Sequence, residues 1–251
     1  MVYCSPLIIM LMKNYQMTVT LGGVTVNVQY EFAEVQAYFS RFFSKEDTFQ
    51  CEAWMTDCDW STVQKKGILH IPVAECSLLA GSVSDALLPF DRCVIHAAAI
   101  RYRERAWLLA GPSGVGKSTQ IKSLQSLEPG AFGVICGDRP VLELREDGSV
   151  MVWPSPWNGK ENWYGAEAAP LAGIILIQRG EESKVEPLTP RDAVVPVYAQ
   201  LIQTGESLQT MQLAARFEDR LLQAVPTHRL TASDIPTSGQ ALYAHLQQST
   251  P

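Results

Sequence analysis

The sequence predicts an α/β protein that has a mixed β-sheet and a small β-rich N-terminal part. Val19–Tyr30 alternates apolar and polar residues around Gly22-Gly23, which is typical of a β-hairpin. Residues 106–127 read as an apolar strand, a glycine-rich loop and a helix. Ala172–Gln178 is an apolar run of the kind that forms a central strand.

Patterns in the N-terminal region are less clear. Leu7–Met12 is apolar but too short to span a bilayer, and no basic segment precedes it. We interpret residues 1–16 as a lead-in or as an extension from an upstream start. Phe32–Phe43 fits a short helix or a third strand, and Gly67–Ile71 fits a strand. Ala74–Leu88 has apolar residues at helical spacing and ends before a proline.

The rest of the chain alternates between the two periodicities. Strands are predicted at Cys93–Arg101, Ala106–Ala110, Phe132–Cys136, Val141–Leu144, Val150–Trp153, Ala172–Gln178 and Thr227–Thr231. Helices are predicted at Ser118–Leu127, Pro190–Gln203, Ser207–Gln223 and Ser238–Gln248. An Asp-Gly turn joins the fourth and fifth of these strands into a second hairpin.

Length and composition indicate a folded chain with one or two domains. Of its 251 residues, 47% are hydrophobic and 18% charged, so the chain can bury a core. The pattern of elements changes near residue 90. We therefore expect a small β-rich N-terminal region, residues 1–90, followed by a main body, residues 91–251.

Charge and cysteine usage exclude several classes of partner. The net charge is −6 and no run of Lys or Arg forms a basic stripe, so a nucleic-acid partner is not expected. No membrane-spanning segment is apparent, and we expect no membrane partner. The six cysteines are scattered without the spacing of a zinc site, which favours reduced, mostly buried thiols and a cytoplasmic protein.

One motif in the sequence indicates a binding function. Gly111–Ser118 reads GPSGVGKS and fits the phosphate-binding pattern G-x-x-x-x-G-K-[ST]. Glycines let backbone N–H groups point at phosphate oxygens, and the N-terminus of the following helix favours negative charge. Lys117 would contact the terminal phosphates, and the Ser118 hydroxyl would bind Mg²⁺. The predicted ligand is a nucleoside triphosphate, ATP with Mg²⁺, bound by Gly111, Pro112, Ser113, Gly114, Val115, Gly116, Lys117, Ser118 and Thr119.

Two further side chains are candidates for catalysis beside this loop. Asp138 ends the strand that follows the loop's helix, so it could reach the terminal phosphate and serve as a base or a Mg²⁺ ligand. The alternative is an Asp that begins a turn before Arg139-Pro140. His96 lies on an apolar strand, where a histidine is either a satisfied core residue or part of the site.

A segment rich in aromatic residues, prolines and glycines follows the second hairpin at residues 154–165. Lys160 and Glu161 within it are candidates for contacts with a second substrate, because the acceptor must approach the terminal phosphate from the open side. The alternative is an ordinary surface loop with partly buried tryptophans.

With these motifs in place, the chain from about Leu88 to its C-terminus resembles the HPr kinase/phosphorylase family, in particular its single-domain, serine kinase-like relatives. The resemblance includes a strand histidine (His96) before the phosphate loop and an acidic residue (Asp138) after the loop's helix. It implies the P-loop fold shared by the HPr kinase C-terminal domain and phosphoenolpyruvate carboxykinase. It also implies transfer of phosphate from ATP to a serine hydroxyl.

The departures from the family concern the acceptor. Where the family has two adjacent aspartates, this chain has Gly137 and Asp138, so a single carboxylate can be carried over. The stretch SPWNGKE at Ser155–Glu161 replaces the segment that recognises the protein substrate in the full kinase, and the family's large N-terminal domain is missing. The resemblance therefore implies the nucleotide chemistry and leaves the acceptor unidentified.

Three functions compete on the sequence. The leading one is an ATP-dependent kinase that phosphorylates a hydroxyl of a peptide, protein or small molecule, with Lys117, Asp138 and His96 as catalytic residues. The second is a nucleotide-binding regulatory module with weak or no catalysis, suggested by the missing carboxylate. The third, a carboxykinase-like lyase, lacks the extra metal ligands that it needs. Whether the chain forms a homo-oligomer is left open.

Overall fold

The computed structural model describes residues 15–56, 59–61, 63, 70–165 and 167–249. Its strands are β1 (Tyr15–Leu21), β2 (Val24–Tyr30), β3 (Cys51–Ala53), β4 (Arg92–Val94), β5 (Ala97–Tyr102), β6 (Arg105–Ala110), β7 (Phe132–Cys136), β8 (Val141–Leu144), β9 (Val150–Trp153), β10 (Ala169–Arg179), β11 (Lys184–Leu188) and β12 (Thr227–Ala232). Its principal helices are α1 (Val35–Phe39), α2 (Ile71–Leu87), α3 (Lys117–Leu127), α4 (Pro190–Tyr198), α5 (Leu208–Ala224) and α6 (Ile235–Ser249).

A mixed sheet organises the main body. Its path runs β4-β8-β9-β10-β6-β5-β7, and β12 pairs with the second half of β10 and with β11. β10 lies parallel to β6 and β12, while β5 lies antiparallel to both of its neighbours, β6 and β7. The α/β class with a mixed sheet, expected from the sequence, is therefore confirmed.

Alternate side chains of the central strands enter two different cores. On β6, Leu108 packs in the core beneath α4 and α5, whereas Trp107 and Leu109 pack in the core beneath α3 and α6. Both cores are almost free of solvent; Leu108 and Leu109 are each 0% exposed. A strand buried on both faces needs an almost continuous apolar sequence, which is what β6 and β10 have.

The N-terminal region forms a second, three-stranded sheet. β1 and β2 make the predicted hairpin, with Leu21 opposite Val24, and β3 adds in parallel to β2. Helix α2 packs against this sheet, and Trp157 from the main body enters the same core. The N-terminal region thus shares a core with the main body, and its independence as a domain stays a prediction.

Helix α2 and the 3-10 turn after it, Ile71–Phe90, are together long and apolar enough to cross a membrane. Most of this stretch is buried inside the protein, with Leu79, Val83 and Leu87 each 0% exposed in the core described above. Core helices of folded domains have the same length and composition, and the packing accounts for the apolar character of this one.

Several predicted boundaries need correction. The strand predicted over Cys93–Arg101 is two strands, β4 and β5, with His96 at the break between them. The helix predicted over Pro190–Gln203 ends at Tyr198, since the residues that follow pair with the β4–β5 junction. β11 was not predicted. Ile71 begins α2 rather than ending a strand.

Some predictions concern residues outside those described. Residues 1–14 of the predicted lead-in lie there, as does most of the strand predicted at Gly67–Ile71. Phe32–Phe43, for which helix and strand were both open, contains α1 and a 3-10 turn. The described cysteines are all free thiols, and Cys76, Cys93 and Cys136 are buried.

Candidate functional site

The glycine-rich loop connects β6 to α3. At its start Gly111 has φ of +147°, and a Cβ there would lie 2.9 Å from the carbonyl oxygen of Ile177 on β10. Only glycine fits this close approach of two parallel strands. At its end Gly116 caps α3, so the positive N-terminus of an 11-residue helix opens into the loop. Arg179 at the end of β10 donates to the Gly114 carbonyl and holds the loop from the side.

Lys117 is folded back over this loop. Its Nζ donates to the Gly111 carbonyl oxygen at 2.9 Å and lies 3.1 Å from His96 Nε2. The residue is only 8% exposed. Burial lowers the pKa of the Lys117 ammonium, and the Asp138 carboxylate opposes that effect. Both acceptors are neutral, so an anionic ligand would pair more strongly with this buried ammonium.

His96 stands at the break between β4 and β5. Its backbone N–H donates to the Gln200 carbonyl at 2.7 Å, which fixes the break against the segment after α4. The 3.1 Å contact with Lys117 lets Nε2 accept a hydrogen bond from the ammonium in the tautomer that has its ring proton on Nδ1. Burial and the charge of Lys117 lower the pKa of His96, against the opposing effect of Asp138. The net effect favours the neutral imidazole.

Asp138 follows β7 and is held by the neighbouring strand. Its carbonyl accepts from the Ala97 N–H at 2.9 Å. One carboxylate oxygen lies 3.5 Å from His96 Nε2 and the other 3.4 Å from Arg139 Nε. The side chain is 29% exposed, so the carboxylate between His96 and Arg139 is still accessible to solvent.

These groups line one cavity of about 560 Å³. Of the residues proposed from the sequence, the structure brings the following to its wall: His96, Ser113, Gly114, Gly116, Lys117, Ser118, Thr119, Asp138, Lys160 and Glu161. Gly111, Pro112 and Val115 support the loop without lining the cavity. Residues far apart in the sequence thus meet around the N-terminus of α3, as the order of elements predicts.

The segment 154–165 covers the end of β7. Trp157 accepts from the Arg139 N–H at 2.9 Å, and the Gly165 N–H donates to Ile135 at 2.8 Å. A Cβ at position 137 would lie 2.1 Å from the carbonyl oxygen of Asn158. No side chain fits there, which gives a physical reason for Gly137: the backbone of this segment occupies the space beside Asp138.

Lys160 and Glu161 differ in their surroundings. Glu161 lies 3.7 Å from Lys122 on α3, and the Lys122 ammonium also lies over the Trp163 ring at 5.7 Å. These contacts tie the segment to the helix that carries the phosphate loop. Lys160 is exposed at the rim of the cavity and makes no ion pair with any residue that the structure describes.

Sequence reasoning missed Arg139 as a site residue. Its Nη1 donates to the Ser77 carbonyl of α2 at 2.7 Å, and its Nε faces Asp138. The side chain lines the same cavity and links the N-terminal region to the candidate catalytic carboxylate. Its position next to Asp138 was the available signal, but the partner that fixes it is 62 residues away.

The oxygen atoms that line the cavity can be compared with the ligands that Mg²⁺ prefers. No group of three or more His, Cys, Asp or Glu side chains within the described ranges could hold a metal by itself. Ser118 and Asp138 offer one hydroxyl and one carboxylate on the same cavity wall. Mg²⁺ is usually bound by one or two such oxygens together with phosphate oxygens and water, so this set fits a metal that arrives with a nucleotide.

Comparison with known proteins gives little further information. No family model and no curated protein matches the chain. Among solved structures, the chain is similar to the Hpr(Ser) kinase/phosphatase from Coxiella burnetii, with a TM-score of 0.38 and 11% sequence identity over 63% of this chain and 99% of that one. Similarity at this level says nothing about the ligands or activity of the present chain. Membership of the HPr kinase family stays a prediction.

Proposed function

We propose that this protein is an ATP-dependent phosphotransferase that moves the γ-phosphate of ATP to a hydroxyl group. One observation carries the proposal: at the N-terminus of α3, His96 Nε2 lies 3.1 Å from the Lys117 ammonium and 3.5 Å from an Asp138 carboxylate oxygen, and all three side chains line a cavity of about 560 Å³. A helix N-terminus, a buried ammonium and a carboxylate in one cavity suit an anionic, phosphate-bearing ligand and a proton acceptor beside it.

In this proposal Lys117 exchanges the Gly111 carbonyl for oxygens of the β- and γ-phosphates. Its ammonium is then paired with full negative charge rather than with a carbonyl dipole. Backbone N–H groups of the loop contact the same phosphates. Bound Mg²⁺ supplies further counter-charge, and Ser118 and Asp138 are the residues that would hold it.

The transfer step needs a phosphate donor, an acceptor hydroxyl and a base. The acceptor hydroxyl oxygen forms a bond to the γ-phosphorus, and the bond from that phosphorus to the β–γ bridging oxygen breaks, releasing ADP. The hydroxyl proton passes to the Asp138 carboxylate. His96 Nε2, 3.1 Å from the Lys117 ammonium, can accept a hydrogen bond from it and so help to hold it in place.

Two features of the site support a second function, a nucleotide-binding regulatory module. Gly137 leaves one carboxylate where the resembling family has two, and Lys117 already has two protein partners. Both features suit a module that binds nucleotide with little or no transfer. For either function we propose a cytoplasmic location, which agrees with the free thiols of the described cysteines.

A single-turnover assay with γ-labelled ATP separates the two functions. The wild-type protein and Asp138→Asn are each mixed with labelled MgATP and a pool of short serine and threonine peptides. We expect label on peptide with the wild type, and a rate lower by roughly 10²–10⁴-fold in the variant. Nucleotide binding without any label on peptide would favour the regulatory module. Undiminished transfer by Asp138→Asn would remove the carboxylate from the mechanism.

A further inference from the structure

A second cavity adjoins the first. It has a volume of about 340 Å³ and shares Asp138, Arg139, Gly159 and Lys160 with the wall of the larger cavity. The two spaces therefore meet at the proposed base. An occupant of the second cavity would therefore lie beside the Asp138 side chain.

The walls of the second cavity are mostly apolar and come from two parts of the chain. Tyr38 and Val73 belong to the N-terminal region, and Pro156 and Trp157 to the segment 154–165. Tyr38 and Val73 are 38% and 51% exposed, which is high for apolar side chains that face a concave surface. Covering them would release water from both, so the cavity is suited to an apolar occupant.

This cavity has fixed walls. The Trp157 indole N–H donates to the carbonyl of Cys76 on α2 at 2.6 Å, and Arg139 donates to that of Ser77 at 2.7 Å. Phe39 packs edge-on against the Trp157 ring at 5.5 Å. These contacts join α1, α2 and the segment 154–165 around the space, so it exists before any ligand binds.

We propose that the second cavity is the acceptor site, and that the acceptor is a hydroxyl compound with an aromatic or branched aliphatic group a few bonds from its hydroxyl. The proposal rests on the proposed function, since it takes Asp138 as the base. The hydroxyl would lie at the junction of the two cavities, and the apolar group would lie between Val73 and Trp157. The N-terminal region then has a defined task, which is to select the acceptor.

The size of the effect follows from the area that the apolar group buries. Removing one large apolar side chain from water corresponds to roughly a tenfold to hundredfold gain in affinity. Two matched dipeptides isolate this contribution: N-acetyl-serylphenylalaninamide and N-acetyl-serylglycinamide, which differ only in the benzyl group. Their binding is measured by calorimetry and ligand-detected NMR, with and without MgADP.

The variants are chosen so that the fold is kept. Val73→Asp puts a carboxylate into the cavity and lies in the first turn of α2, where an acidic residue favours the helix. Tyr38→Ser removes an exposed ring. Val194→Asp is the matched control, because Val194 is 43% exposed on α4 and lines neither cavity. Circular dichroism of all three checks that each is folded.

We expect the phenylalanine peptide to bind the wild type and Val194→Asp at least tenfold more tightly than the glycine peptide. Val73→Asp and Tyr38→Ser should each reduce that preference. Equal binding of the two peptides, no binding of either at millimolar concentration, or a preference that survives both substitutions overturns the inference. The melting temperature with MgATP is measured on the same samples: stabilisation by MgATP without a peptide preference removes the acceptor site alone, whereas no response to MgATP removes the proposed function.

Discussion

Gly137→Ala is the perturbation whose effect follows most closely from the geometry. The new Cβ would stand 2.1 Å from the Asn158 carbonyl oxygen, whereas ordinary van der Waals contact begins near 3.4 Å. The carbonyl must therefore retreat by more than 1 Å. The φ of Gly137 is not positive, so the added methyl group meets the steric contact without left-handed backbone strain.

Gly137→Ala should both lower the stability of the fold and change the surroundings of Asp138. Overpacking of this kind costs about 1–3 kcal/mol in the free energy of unfolding. Asn158 is followed by Gly159, whose own Cβ position is 3.3 Å from the Asp138 Cβ. A shift of the segment thus changes the surroundings of the carboxylate, and a misplacement of 1 Å can lower a reaction rate by about 10²-fold.

Gly133→Ala is the matched control for this experiment. Gly133 lies on the same strand, β7, and a Cβ there would have a single neighbour, Arg101 Cβ, at 3.8 Å. We expect Gly133→Ala to unfold in urea at or slightly above the wild-type midpoint, and Gly137→Ala at a clearly lower one. Phosphotransfer should fall only in Gly137→Ala. If the two variants have equal midpoints, the segment does not occupy the space beside Asp138 as described.

Two further predictions concern pH. Burial raises the pKa of the Glu218 carboxyl from 4.5 to about 7, so the folded protein loses stability as the pH rises between these two values. Glu218→Gln should therefore raise the free energy of unfolding by about 1–3 kcal/mol at pH 8 and hardly at all at about pH 4. Urea titrations at both pH values check this, and an equal gain at both would contradict it. Burial lowers the pKa of His245 from 6.5 to about 4. Between these two pH values the unfolded chain binds a proton at this residue and the folded chain does not, so stability falls as the pH is lowered. The melting temperature of the wild type should therefore fall across this range more steeply than that of His245→Phe, and parallel curves would contradict the assignment.

Local patterns determined much of the fold. The hairpin around Gly22-Gly23 was confirmed from the alternation of residues and the turn. The predicted bounds of β7, β8 and β9 agree with the structure, because short apolar runs between turn residues have few alternatives. The strand, loop and helix at residues 105–127 were likewise predictable from sequence.

Long-range contacts determined what the sequence did not reveal. The apolar run from Cys93 gives no sign of the break at His96, which depends on a hydrogen bond to Gln200 more than a hundred residues away. The position of the Arg139 side chain likewise depends on a hydrogen bond to the distant Ser77 carbonyl. β11 is partly exposed and carries charged residues, so it lacks the apolar pattern of a strand and forms by pairing with β12. The second cavity could not be foreseen, since it exists only where α2 meets the segment 154–165.

The central claim is that the loop before α3 binds the phosphates of MgATP through Lys117. Thermal unfolding with and without MgATP tests it most directly, using Lys117→Ala and, as a control, Lys184→Ala on the exposed strand β11. At a hundredfold excess over its dissociation constant, MgATP should stabilise the wild type and Lys184→Ala by about 2.7 kcal/mol. Lys117→Ala should lose most of this, because it lacks a charge-assisted contact of about 1.5–3 kcal/mol. A wild-type melting temperature that MgATP leaves unchanged, or an equal response from Lys117→Ala, would contradict the claim.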